Sequence, residues 1–97
     1  MPTTLDMLKE KRDAIHVIAE RYGVSNIRVF GSVVRGEDDA KSDIDLLVNM
    51  PPDRDMFEVG GFQFEASQLL GRYVDVVIDG SIHPALKTQI TSEAAVL

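Results

Sequence analysis

The residues best suited to chemistry form two short groups in the first half of the chain. Gly31 and Ser32 follow one apolar run, and after ten intervening residues Asp43 and Asp45 lead into another. Side chains two positions apart on a β-strand point the same way, so the two carboxylates would share one face. Paired carboxylates repel each other unless a cation lies between them, and Mg²⁺ prefers carboxylate and phosphate oxygens. The spacing therefore predicts a site for a hard divalent ion such as Mg²⁺.

Gly31 and Ser32 predict that the same site also binds phosphate. Glycine lets the backbone come close to a phosphate group, and N–H groups at a helix start just after a strand favour anions. Metal would lie on one side of this site and a triphosphate on the other. The same residues also allow a simpler structure, which is a loop followed by a strand with a solvated acidic edge.

The apolar runs on either side predict the elements that carry these residues. The first strand would span Ile27–Phe30 and the second Ser42–Val48, with Ile44, Leu46 and Val48 facing the core. A short helix and then a polar loop would connect the two strands, at Ser32–Arg35 and Glu37–Lys41.

A third predicted strand, Tyr73–Ile78, contains one charged residue among apolar ones. Its apolar residues alternate along one face, and Asp75 lies alone between valines on the other. Aspartate is disfavoured within strands and is seldom buried. Asp75 is therefore either a third carboxylate beside Asp43 and Asp45 or an exposed residue of an edge strand.

Helical spacing of apolar residues predicts three longer helices around these strands. The first would run from Leu5 to Tyr22, with Thr3 and Asp6 as a capping pair and Gly23 as its end. The last would begin at Pro84, a residue favoured in the first turn of a helix. It would extend to Ala95 and present one apolar side, formed by Leu86, Ile90 and Ala94.

The second helix is predicted over Asp55–Leu70, where Asp55 and Glu58 resemble a capping box. It contains two consecutive glycines, which weaken a helix by about 1 kcal/mol each relative to alanine. Three aromatic residues of this region are expected in the core rather than on a base-stacking surface, namely Phe57, Phe62 and Phe64.

Composition narrows the class of protein. The chain has 97 residues, 44% hydrophobic and 27% charged, which is typical of one globular domain over residues 1–97. It contains no cysteine, and its net charge of −6 argues against direct binding to nucleic acid but suits a basic protein partner. No apolar run approaches the ~20 residues of a membrane span, and no signal peptide is visible. A cytoplasmic protein is the prediction.

The predicted order of elements and five short motifs resemble the minimal nucleotidyltransferase (MNT) family, single-domain relatives of DNA polymerase β. The resemblance implies an α/β (α+β) fold, with a short mixed β-sheet of about three strands flanked by helices. It rests on Gly31-Ser32, Arg35-Gly36, Ser42-Asp43-Ile44-Asp45-Leu46, Leu70-Gly71-Arg72 and Val74-Asp75-Val76-Val77.

The resemblance implies an enzyme and a partner. MNT-like antitoxins transfer AMP from ATP to a tyrosine hydroxyl of a HEPN-type toxin, an RNase, and so silence it. By position, Asp43 and Asp45 match the metal-binding pair of the family. Asp75 matches the third acidic residue, which helps to bind metal and can accept the proton of the attacking hydroxyl. The Gly31-Ser32 pair matches the turn that holds the phosphates.

Arg35 is a further candidate for a phosphate contact. Its alternative is a surface arginine that pairs with Glu37 or Asp38. Two other functions remain open for the whole protein. It could be a non-catalytic antitoxin that neutralises its partner by direct binding, or a module that senses a nucleotide without turnover. The chain lacks the additional domains with which polymerases hold nucleic acid, so a protein acceptor is favoured.

Overall fold

The chain folds around a mixed four-stranded β-sheet. A computed structural model describes the protein over residues 2–53 and 56–97. The strands are β1 (Ser25–Phe30), β2 (Ile44–Asn49), β3 (Val74–Ile78) and β4 (Ala95–Val96). They lie in the order β3-β2-β1-β4. The middle strand β2 is antiparallel to β1 and parallel to β3, and the short β4 pairs antiparallel with β1.

Helices flank this sheet, and the predicted α/β (α+β) class is confirmed. The sheet has one strand more than the expected three. The helices are α1 (Thr4–Glu10), α2 (Arg12–Tyr22), α3 (Ser32–Arg35), α4 (Met56–Leu70) and α5 (Pro84–Glu93), with a 3₁₀ turn at Asp79–Ser81. Within the described ranges, no helix combines the length and apolarity needed to cross a membrane.

The first predicted helix is divided in two. The backbone at Lys11 has φ −96° and ψ 10°, which interrupts the helix where Arg12 breaks its apolar stripe. The predicted ends are confirmed. Thr3 and Asp6 form a reciprocal capping box, and Gly23 ends α2 in the left-handed conformation that glycine adopts easily.

The hydrophobic core lies between one face of the sheet and helices α1, α2 and α4. Ile44, Leu46 and Val48 are fully buried in it, as the alternation along β2 predicts. Leu47 points to the opposite face and is also fully buried. On that face the Arg28 side chain extends across β2. It donates hydrogen bonds to Asn49 Oδ1 at 2.8 Å and to the carboxylate of Asp79, just after β3, at 3.1 Å. The central strand is therefore covered on both faces.

The prediction for the aromatic residues is wrong at two positions. Phe62 is fully buried, but Phe57 and Phe64 are 84% and 65% exposed. Helix α4 has one buried stripe, and neither of these two residues belongs to it. The predicted cap of this helix rests on Asp55, which lies outside the described residues. The buried stripe consists of Val59, Phe62, Ala66 and Leu70.

The last helix begins as predicted but ends two residues early. Pro84 occupies its first turn, and the His83 ring accepts a hydrogen bond from the Ala85 backbone at 3.1 Å. None of its residues is fully buried. Leu86 is 51% exposed, and Ile90 and Ala94 are only partly buried, so the expected apolar side packs weakly. The chain then turns into β4, where a two-residue strand offers no alternating pattern to recognise.

Candidate active site

The pairing of β2 with β3 brings two of the predicted carboxylates together. The third strand lies beside the second, and Asp45 is the register partner of Asp75. Neighbouring strands lie about 4.8 Å apart, and register partners point to the same face. Asp45 is partly buried at the centre of the sheet, whereas Asp75 is exposed on the edge strand.

Asp43 lies just outside the strand that was predicted to contain it. Strand β2 begins at Ile44, whose N–H donates to the Tyr73 carbonyl at 2.9 Å. The Ser42 carbonyl instead accepts hydrogen bonds from the guanidinium group of Arg72. The strand therefore starts two residues later than predicted. Asp43 is exposed at the end of the connecting loop, close enough for its charge to act on Asp45.

Asp45 is the electrostatic centre of the site. Partial burial raises the pKa of its carboxyl group above the ordinary value, and the negative charges of Asp75 and Asp43 raise it further. The positive charge of Arg35 opposes this pKa shift, and Glu93 adds to it. Five charged side chains therefore act on one another at this end of the sheet.

The glycine turn lies directly against this carboxylate. Gly31 has φ 76° and ψ −150°, a conformation that side-chain-bearing residues rarely adopt. A Cβ atom at this position would collide with Asp45 Oδ2. Only glycine therefore lets the turn pass so close to Asp45. The predicted helix follows at once as α3, which ends at Gly36.

Arg35, at the end of α3, is held by two carboxylates. Its Nε donates to Glu37 at 3.3 Å, so one of the two alternative partners is present. Its Nη1 donates to both carboxylate oxygens of Glu93, at 3.1 and 3.0 Å. The other alternative partner, Asp38, pairs with Arg72 instead, at 3.2 Å.

Two residues of the site were not predicted from the sequence to have a role there. Glu93 is the last residue of α5, and it also accepts the Gly31 N–H at 2.8 Å. It lies 58 residues from Arg35 and 62 from Gly31, so no local pattern marks it. Arg72, noticed only as part of a motif, is the second.

Arg72 joins the loop before Asp43 to the start of β3. Its Nη2 and Nε both donate to the Ser42 carbonyl, at 2.8 and 3.0 Å, and its Nη1 donates to Thr4 at 2.9 Å. The Arg72 side chain is only 13% exposed, and its ionic partner Asp38 is 9% exposed. Hydrogen bonds from Thr4 and Arg72 hold the pKa of Asp38 below its ordinary value, although burial opposes this.

A cavity of about 610 Å³ lies beside this network rather than at the carboxylates. Arg72 and Asp38 form part of its wall, together with residues at the start of α1. None of the residues predicted for the site lines the cavity.

The carboxylates suit a hard divalent cation. Asp43, Asp45 and Asp75 supply oxygen ligands, and the charges of the other two raise the pKa of the central one. In residues 2–53 and 56–97, no three or more acidic, cysteine or histidine side chains are grouped closely enough to hold a metal ion by themselves. Mg²⁺ usually takes one or two protein carboxylates and completes its shell with water and phosphates. The donor set therefore fits Mg²⁺ bound together with a nucleotide.

The sequence matches the family described as "Nucleotidyltransferase domain" over residues 11–97. A protein of Methanocaldococcus jannaschii, MJ0435, provisionally named a protein adenylyltransferase, is 37% identical over 84 residues, which cover 87% of this chain and 89% of the relative. Protein adenylyltransferase MntA of Thermococcus cleftensis is 34% identical over 76 residues, covering 78% and 77%.

Solved structures share the fold. One that is provisionally described as a minimal nucleotidyltransferase superposes with a TM-score of 0.85 and 36% identity, covering 96% of this chain and 95% of its own. A toxin–antitoxin structure with AMP-PNP has a TM-score of 0.73 over 87% of this chain and 69% of its own. At 22% identity, that second likeness concerns the fold alone.

The match covers the glycine turn, the three aspartates and every strand of the sheet. Relatives more than 30% identical cover most of the chain, and the solved minimal nucleotidyltransferase has the same fold. The chain therefore belongs to the nucleotidyltransferase domain family, as one of its minimal, enzymatic members.

Proposed function

We propose that the protein is a metal-dependent protein adenylyltransferase that transfers AMP from ATP to a tyrosine hydroxyl of a HEPN-type RNase toxin. By this modification it acts as an antitoxin. The observation that carries the proposal is the alignment of Asp45 with Asp75 on one sheet face, against the turn at Gly31. The names of the relatives as protein adenylyltransferases support the reaction.

The three aspartates would hold the metal. Asp43 and Asp45 lie on or next to the central strand, and Asp75 adds a carboxylate from its neighbour. Bound Mg²⁺ would neutralise phosphate charge and make the acceptor hydroxyl a better nucleophile. Two of the aspartates, Asp45 and Asp75, belong to the same sheet. They would therefore hold the metal at a fixed position.

The glycine turn and Arg35 would hold the phosphates. Gly31 brings the backbone against Asp45 without a side chain, so a triphosphate bound at the carboxylates would also lie beside the turn. Ser32 is the first residue of α3. The first N–H groups of a helix have no hydrogen-bond partner within the helix, so the Ser32 N–H would be able to donate to a phosphate oxygen. Arg35 adds a positive charge that already acts on Asp45.

Asp75 would serve the acceptor. It is the most accessible carboxylate of the strand pair, because it lies on the edge strand. The hydroxyl oxygen would bond to the α-phosphorus of ATP as the bond to pyrophosphate breaks, and Asp75 would take the hydroxyl proton. A protein surface can approach this edge without entering the core. The net charge of −6 favours a basic partner.

Radiolabelled ATP tests the reaction. The protein, purified with its cognate toxin, is incubated with Mg²⁺ and ATP labelled at either the α- or the γ-phosphate. The proposal expects label on the toxin only from the α-position, and none with an Asp45→Asn variant. Label from the γ-position would make the protein a kinase. A neutralised but unlabelled toxin would favour inhibition by direct binding.

A further inference from the structure

Glu93 connects the last helix to both ends of α3. Its Oε1 accepts the N–H of Gly31, just before that helix, at 2.8 Å. Its two oxygens accept from Arg35 Nη1, at the end of the helix, at 3.1 and 3.0 Å. One carboxylate therefore holds the turn and the arginine in a fixed relation, although it comes from the other end of the chain.

The same contact leaves part of the arginine available. A guanidinium group has five N–H donors in a rigid fork. The Nε of Arg35 bonds to Glu37 and its Nη1 to Glu93. Its Nη2 makes no hydrogen bond to any part of the chain that the structure describes, and the side chain is 44% exposed. Glu93 contacts the guanidinium with both oxygens and is the less exposed partner, whereas Glu37 makes a single, longer contact from an exposed position. One amino group remains for a ligand.

The attachment of α5 makes this contact important. No residue of that helix is buried, and the chain is anchored just after it, where β4 pairs with β1 and Leu97 is buried in the core. The backbone at the end of α5 is therefore fixed, and the Glu93 carboxylate is held by the Gly31 N–H and by Arg35. The Glu93 side chain is 22% exposed, so its hydrogen bonds are partly shielded from water.

We propose that Glu93 is a positioning residue for nucleotidyl transfer, which fixes the Gly31 turn and orients Arg35 so that its Nη2 amino group meets the triphosphate. The inference rests on the proposed function, because it takes a nucleotide as the ligand of Arg35. It assigns no contact between Glu93 and the substrate. The carboxylate acts through the two groups that it holds.

Binding of ATP compared with adenosine tests this role. Glu93→Ala should weaken ATP binding roughly tenfold, as expected for the loss of one well-oriented charged hydrogen bond. Adenosine has no phosphate, so its affinity should change less than about twofold. Glu93→Gln keeps an acceptor for Gly31 but loses the charge, so it should show an intermediate loss. It also carries the test if the alanine variant does not fold.

Glu37→Ala is the matched control, because it removes the other, more exposed partner of Arg35 without touching the glycine turn. It should weaken ATP binding less than about threefold. A double variant, Glu93→Ala with Arg35→Ala, should bind ATP more weakly than Arg35→Ala alone, because Glu93 also holds the Gly31 turn, but by less than the two single losses combined, because the contact with Arg35 is lost only once.

Calorimetry in the presence of Mg²⁺ gives these affinities, and thermal melting reports folding separately. Unchanged or tighter ATP binding by both Glu93 variants would overturn the inference, and so would equal losses for ATP and adenosine. If the parent protein binds no ATP, the proposed function fails, and this inference fails with it. Parent binding with unaffected variants refutes the role of Glu93 alone.

Discussion

Asp45 has the least favourable surroundings of the residues in the site. It is partly buried, and three other carboxylates act on it, so its charged form is disfavoured in the absence of a cation. Asp79 provides a contrast at the other end of the strand pair, where a carboxylate receives a hydrogen bond from Arg28 at 3.1 Å. The carboxylates of the site therefore lower the stability of the ligand-free protein, and the same carboxylates provide a place where a cation can bind.

Asp45→Asn should therefore abolish transfer and raise the melting temperature of the ligand-free protein at pH 7. The pKa of Asp45 is raised on folding, so the parent loses stability as pH rises from the unfolded-state pKa through the folded one. The gain should vanish below about pH 3, under the ordinary aspartate pKa of about 3.9, where the carboxyl group is protonated in both states. Thermal melts at the two pH values measure it. Asp79→Asn, the control, should lower the melting temperature at pH 7.

Gly31→Val should weaken ATP binding about tenfold or more, because a side chain here both strains a backbone with φ 76° and collides with Asp45. Gly36→Ala is the matched control, since it has φ 71° but open space around the new Cβ. It should lower stability while leaving ATP affinity within about twofold. Equal losses of affinity in both variants would contradict the close approach of the turn to the carboxylate.

Asp75→Asn should reduce the rate of AMP transfer by about a hundredfold or more, the contribution of a general base. ATP affinity should change less than about threefold, because the lost interaction belongs mainly to the transition state. Single-turnover rates and calorimetry separate the two quantities. An Asp75 that is merely exposed on an edge strand would leave the transfer rate unchanged.

At the scale of elements, the loop between α3 and β2 depends on one arginine. Arg72 fixes the Ser42 carbonyl, the group immediately before Asp43, from the start of β3. Arg72→Lys removes the forked donor geometry, so we expect a transfer rate roughly ten- to a hundredfold lower, as for a displaced catalytic group. Arg28→Lys is the control, because Arg28 is equally shielded but binds only at the far end of β2.

The prediction for Arg72 is checked by the rate of transfer together with the melting temperature. Both arginine variants should lose some stability, since each side chain makes a partly buried ion pair. Only Arg72→Lys should also have a lower rate of transfer. Similar rates for the two variants would show that the loop before Asp43 holds its position without the guanidinium.

Strands and helix ends could be predicted wherever the signal is local. Alternation identified the buried face of β2, and the capping pair at Thr3 and the stop at Gly23 are formed within a few residues. The exposed Phe57 and Phe64 could not be predicted, because their side of α4 is set by where the sheet lies. Strand β4 could not be predicted either, because it forms by pairing with the free edge of β1 rather than from a pattern in its own two residues.

The same distinction applies to the site. The spacing of Asp43 and Asp45 and the isolation of Asp75 among valines are local patterns, and the fold brings all three to one end of the sheet. The contact between Glu93 and Gly31 joins residues that are far apart in sequence and is formed only when the whole chain has folded. Sequence spacing therefore could not predict it.

For the whole molecule, the sheet order determines which parts of the site are accessible. β2 lies in the interior of the sheet and β3 at its edge, so Asp45, which is proposed to hold metal, is partly buried, and Asp75, which is proposed to meet the acceptor, is exposed. The exposed Phe64 lies on the helix that connects these two strands. A protein acceptor would therefore meet the edge of β3, while nucleotide occupies the turn beside β2.

The parallel pairing of β2 with β3 also limits how this protein can evolve. Because side chains alternate along a strand, deleting one residue between Leu70 and Val74 would turn Asp75 toward the core and a valine toward the site. Such a deletion would lose activity and bury a charge at once. The loop from Gly36 to Asp43 is exposed along much of its length and can change length at far lower cost. Length variation among functional descendants should therefore concentrate before β2 and be absent before β3.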